Sequence, residues 1–60
     1  MTYIVTANGP VGTFDTHDAA MQCAVEQLKA GAFEVHVITR NGDTNQNVQI
    51  FWQSYLQRMR

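Results

Sequence analysis

Hydrophobic and polar positions alternate, then regroup, along this chain. From Thr2 to Ala7, Tyr3, Val5 and Ala7 alternate with Thr2, Ile4 and Thr6. β-branched residues dominate the stretch, which reads as a strand. Asn8-Gly9-Pro10 is a turn signal. Val11–Phe14 follows with Gly12 inside it, and is either a short returning strand or a loop laid over the core. The strand is the reading taken.

The period then changes. Ala20, Met21, Ala24, Val25 and Leu28 fall on one helical face, with Gln22, Glu26 and Lys29 opposite. The helix is expected from about Thr16 to Ala30. Asp15 or Thr16 is placed to cap it, Asp18 sits in the first turn where the helix dipole favours a carboxylate, and Gly31 is the expected stop. Alternation resumes at Phe33–Arg40, with Phe33, Val35 and Val37 on one face and Glu34, His36 and Ile38 on the other.

Asn41-Gly42-Asp43 has the form of a hairpin turn, but Thr44–Asn47 beyond it is wholly polar. The turn is therefore expected to leave the sheet. On a helical wheel Val48, Phe51, Trp52, Tyr55, Leu56 and Met59 share an arc of about 140°, with Gln46, Gln49, Gln53, Gln57 and Arg60 opposite. Ile50 alone falls among the glutamines. A second amphipathic helix over Asn45–Arg60 is expected; a short strand at Val48–Trp52 running into a shorter helix is the alternative.

These elements make one domain, residues 1–60, of α+β class. It has two layers: a small, mainly antiparallel sheet of two or three strands, one central helix and a C-terminal amphipathic helix, in the order β-(β)-α-β-α. Helix packing on one face of the sheet would leave Ile4, Glu34, His36, Ile38 and Arg40 on the other. A half-apolar free face on so small a domain points to a protein partner or a homodimer.

Length sharpens that point. Sixty residues bury only about 60% of the surface the unfolded chain exposes. Ordering them costs roughly 1.5 kcal/mol per residue, so the folding balance is thin. Cys23 is the single cysteine, so no disulfide within the chain and no cysteine-based metal site can form. A buried structural thiol on the edge of the helix, in a reducing compartment, is the expected role. The net charge of −1 argues against both a strongly basic nucleic-acid binder and an acidic mimic of DNA. No apolar run approaches the roughly 20 residues that span a bilayer, and MTYIVTANG carries no basic leader. A cytoplasmic protein with no membrane partner is expected.

Candidate chemistry is sparse. Gly9-Pro10-Val11-Gly12 fails both glycine-rich phosphate-binding templates, and the proline removes an amide that would hold a phosphate. His17 lies beside Asp15 and Asp18, a pair that could orient a general base, but no nucleophile accompanies it. The carboxylates Asp15, Asp18, Glu26, Glu34 and Asp43 are each accounted for by a cap, a helix face or a turn. No enzyme, cofactor or metal is expected. Trp52, Tyr55, Arg58 and Arg60 combine aromatics with arginines. That combination suits stacking on bases, a hot spot at a protein interface, or plain anchoring of the last helix.

The order of a short strand, a helix led by Asp15-Thr16-His17-Asp18-Ala19-Ala20, the Gly31 stop, a strand and a terminal amphipathic element resembles that of small phage-encoded accessory proteins, including anti-CRISPR inhibitors. The resemblance covers most of the chain in size and layout, without a shared motif, and assigns no residue a role. It implies a non-catalytic domain that blocks a larger host protein or ribonucleoprotein complex by binding its surface, in the host cytoplasm. The candidate contact residues are Glu34, His36, Ile38, Arg40, Ile50, Tyr55, Arg58 and Arg60. The alternative is a nucleic-acid-binding module that uses Arg40, Arg58, Arg60 and an exposed aromatic.

Overall fold

The computed structural model describes residues 1–58. Its elements are β1 (Thr2–Thr6), β2 (Pro10–Phe14), α1 (His17–Lys29), β3 (Glu34–Asn41), β4 (Thr44–Trp52) and α2 (Gln53–Arg58). The strands form one four-stranded sheet in the order β2-β1-β3-β4, antiparallel throughout. The α+β class stands as expected. The sheet has a fourth strand where a helix was expected.

The helix boundaries follow from local chemistry. Thr16 is extended and its Oγ1 accepts from the Ala19 amide at 3.2 Å, so the threonine rather than Asp15 caps α1. Asp18 lies in the first turn and Lys29 in the last, both favourable to the helix dipole. At the other end Gly31 takes a φ of +105°, which a side chain would strain. That conformation lets the Gly31 amide donate to the Leu28 carbonyl and the Ala32 amide to Gln27, the paired bonds of a Schellman stop.

The core is one small cluster. Ala20, Ala24 and Leu28 of α1 meet Val5, Val35 and Val37 of the two central strands, all six at 1% exposure or less. Met21, Tyr3, Phe14, Phe51, Tyr55 and Leu56 pack around it. Alanine at positions 20 and 24 lets the helix lie close to the valines. Edge strand β2 adds little side-chain bulk, because Gly12 faces Val5 across the ladder and the Phe14 ring folds over the space its side chain would take.

Two expectations about the apolar positions are corrected here. Phe33 precedes β3, is 81% exposed and does not share the core face of Val35 and Val37. Residues 44–52 form β4, not a helix, and pair with β3 from Asn41↔Thr44 to Glu34↔Trp52. The hairpin turns on Gly42-Asp43, with Gly42 at φ +63°, the sign a two-residue type II′ turn requires at its first central position. Polar residues at 44–47 do not prevent the strand. β4 is an edge strand, and the half of it next to the turn lies exposed on both faces.

Ile50 shows why the helical reading failed. In a strand, Val48, Ile50 and Trp52 share one face while Gln49 and Phe51 take the other, so the residue that disobeyed the helical wheel falls into line. Helix α2 covers only Gln53–Arg58. Its Tyr55 and Leu56 do join the core, whereas Val48 and Trp52 do not. Met59, the other residue assigned to that apolar face, lies outside the described residues.

Candidate interaction surface

The two faces of the sheet are unequal. Helix α1 covers one face over β1, β2 and β3. The face opposite is the one that the alternation gives to Ile4, Glu34, His36, Ile38, Arg40, Val48, Ile50 and Trp52. No element of the described residues covers it.

The register orders these side chains into rows. Ile4, Ile38 and Val48 lie side by side across β1, β3 and β4. The next row is Thr6, His36 and Ile50, and the next sets Glu34 opposite Trp52. Side chains directly opposite on one face are near neighbours. An apolar band therefore runs from Ile4 through Ile38 and Val48 to Ile50 and Trp52. Phe33 extends it, with its ring edge-on to Trp52 at 6.4 Å between centroids. Val48, Ile50 and Trp52 are 46–50% exposed.

Polar groups flank the band. His36 Nε2 lies 3.5 Å from Glu34 Oε1, along β3. At the turn end, Arg40 approaches Asp43 at 3.9 Å. Asp43 is fully exposed, so solvent screens that pair. Arg40 Nε is buried without a hydrogen-bond partner among the described residues.

Of the expected contact residues, Glu34, His36, Ile38, Arg40 and Ile50 share this surface. Tyr55 does not: it is half-buried on the helix side, 4.8 Å from the Phe51 ring. Arg58 is exposed on α2 and lines a cleft of about 300 Å³ together with Ile50, Phe51, Trp52, Ser54 and Tyr55. Arg60 lies outside the described residues. Of the aromatic–arginine set, Trp52, Tyr55 and Arg58 meet at that cleft, where β4 ends at Trp52 and α2 begins at Gln53. Val48, Trp52 and Phe33 belong to the surface and not to the core expected for them. The signal that could have found the first two is the strict alternation Val48-x-Ile50-x-Trp52.

The remaining candidates have structural roles. His17 is exposed, edge-on to Tyr3 at 5.7 Å, and its Nε2 lies 3.4 Å from Gln49 Oε1. Cys23 is half-buried, and burial, reinforced by Glu26, pushes its thiol above the ordinary value of 9.0. A thiol so placed stays protonated and is a poor nucleophile near neutral pH. Among the described residues no group of three His, Cys, Asp or Glu side chains gathers as a metal ion would require. A cleft of about 450 Å³ lies along α1 between Asp18 and Lys29, closed at one side by Tyr55. No helix of the described residues is long and apolar enough to cross a membrane.

Comparison of the chain with protein-family models, curated proteins and solved structures returns no match.

Proposed function

We infer that the protein is a non-catalytic binding module whose partner is another protein, and that the open face of the sheet makes the contact. The observation that carries this reading is the unbroken band Ile4–Ile38–Val48–Ile50–Trp52 on a face that no described element covers. A domain with so thin a core gains no stability from apolar side chains held in water. A partner surface that removes them from water does gain affinity. Trp52 and Phe33 supply large rigid contact area, and aromatic residues of this kind dominate interface energetics. A carboxylate on the partner would meet the Arg40 guanidinium, which is 42% exposed and held, among the described residues, only by the screened pairing with Asp43.

Size and layout suggest the form such binding takes: obstruction of a larger host complex, as phage-encoded inhibitors do, inside the host cell. That sharper version rests on the resemblance of the sequence. Nucleic acid fits the face less well. Its one arginine among the described residues, Arg40, shares its strand with Glu34, and Arg58 stands at the far end of β4, at the cleft beside Ile50 and Trp52. Phosphate binding needs several cations along one track.

Paired variants test the reading. Ile38→Lys places a charge in the middle of the band, and Gln22→Lys places the same charge on the exposed side of α1. Affinity capture from host lysate is expected to recover one protein with the wild type and with Gln22→Lys, and to lose it with Ile38→Lys. Equal capture by all three, or salt-sensitive binding of RNA or DNA in place of a protein, would overturn the assignment.

A further inference from the structure

We propose that the β4 edge pairs with the β4 edge of a second copy of this chain, around a twofold axis at Ile50, to form a continuous eight-stranded sheet.

The two edges of the sheet differ in their fitness for pairing. β2 spans five residues, begins at Pro10, which has no amide hydrogen to donate, and holds Gly12 at its centre. Its ladder with β1 is also broken by a bulge between Val5 and Thr6. β4 spans nine residues, Thr44–Trp52, and contains no proline and no charged side chain. Its one irregularity opposes Asn45 and Asn47 to neighbouring residues of β3, so Gln46 is the extra residue. The stretch from Asn47 to Trp52 is regular. α1 lies over the other three strands, and α2 comes beside β4 only at its Ile50–Trp52 end. Natural edges are ordinarily blunted by lysine, proline, bulges or a covering element. Here one edge has such protection and the other has almost none where it is regular.

The residues of β4 are complementary to themselves. In a twofold antiparallel pair, only registers that match like faces are allowed, so the paired residue numbers must sum to an even number. With Ile50 on the axis, Ile50 meets its own copy and Val48 meets Trp52 of the second chain, twice over. Every apolar side chain that β4 presents on the open face then has an apolar neighbour across the new ladder. Aromatic against β-branched is a favourable cross-strand pair. The neutral strand also brings no like charges together.

Closure supplies the last argument. An isologous pairing uses the same patch on both copies. After it forms, the outer edges of the eight-stranded sheet are the two β2 strands, with Pro10 and Gly12. Growth stops at two chains, and a fibre does not follow. The second copy is therefore the occupant that uses the open edge without creating another.

Sedimentation equilibrium over a concentration series is the first test. The wild type is expected at twice the monomer mass. Ile50→Lys sets two like charges on the axis and is expected at the monomer mass, with helix and sheet circular dichroism unchanged. Register is read separately by oxidation in a Cys23→Ala background. Ile50→Cys is expected to give disulfide-linked dimers, and Gln49→Cys, set opposite Phe51, is not. A wild type that stays monomeric at millimolar concentration overturns the proposal, and so does cross-linking at 49 rather than 50. Amide exchange covers the case in which Ile50→Lys does not fold. Dilution of the wild type is expected to release amides of β4 before those of β2, and simultaneous release argues against the pairing. Ile38→Lys, on β3 and away from the edge, is expected to keep the dimer while losing the partner protein. Failure of the dimer and failure of the binding reading are thus separable.

Discussion

β2 and β4 are both edge strands of one sheet, yet they live in different surroundings. β2 lies over α1, is short, and relies on Phe14 folding across Gly12 to close the core. β4 is nearly twice as long and projects past the helix, with its residues from Thr44 to Ile50 all exposed. The covered strand is held by packing from below. The projecting one is held by its ladder to β3, by the turn at Gly42-Asp43, and by α2 at its far end. The difference teaches that the fold needs only about three strands for its core, and that the fourth extends the surface more than the interior.

The largest expected effect contrasts the two regions directly. Leu28→Ala removes a fully buried side chain under the central strands and is expected to cost about 2–5 kcal/mol. Val48→Ala on β4 is expected to cost under about 0.5 kcal/mol in the isolated chain. Chemical denaturation of the two variants checks this. Equal losses would mean that β4 is part of the cooperative core and not an extension of it.

A smaller effect concerns the tether between β4 and the helix layer. The Gln53 side-chain amide donates to the Leu28 carbonyl at 2.8 Å and also to the Ala32 carbonyl. Both acceptors lie where α1 ends: the Leu28 oxygen takes a second bond beside the one from the Gly31 amide, and the Ala32 oxygen lies just past the stop. Gln53→Ala is expected to cost about 1 kcal/mol and to raise amide exchange in β4 and α2 more than in β2. Uniform change across the sheet would deny the tether a local role. Thr16→Ala acts on the opposite side of the comparison. It removes the cap of α1, is expected to cost about 1 kcal/mol, and should leave the β4 hairpin shifts of an NMR spectrum in place.

The smallest effect is a pH dependence on the covered side. Burial of Cys23 raises its thiol above 9.0 in the folded chain. The folded state therefore holds the proton more tightly than the unfolded state. Its contribution to stability is complete below about pH 9 and is lost as pH rises through the folded value. Thermal melts of the wild type and Cys23→Ala between pH 8 and pH 10 should diverge with the wild type falling faster. Parallel curves would mean that the thiol is solvated in the native state.

Most of the first forty residues were legible because local and tertiary preferences agree there. Thr16, Gly31 and the Ala20–Ala24–Leu28 stripe each mark one state and occupy it. The central strands carry valine at the core positions, so their faces could be read in advance. The candidate surface was legible where it lies on β3, at Glu34, His36, Ile38 and Arg40. It was illegible at Val48 and Trp52, because residues 48–59 satisfy a helical period about as well as a strand period followed by a helix. Phe33 was misplaced for a related reason. Alternation runs smoothly through it, yet the strand starts one residue later.

By itself the sequence determined the stop of α1 at Gly31, the alternation of the central strands and the small number of reactive side chains. Those depend on neighbours in the chain: a threonine hydroxyl three residues before an amide, a glycine at positive φ, a side chain on every second residue. Only the tertiary structure decided the state of residues 44–52. A polar run next to Gly42 becomes a strand because β3 offers it a free row of amides and carbonyls to pair with, and a strand at the edge need bury little on either face.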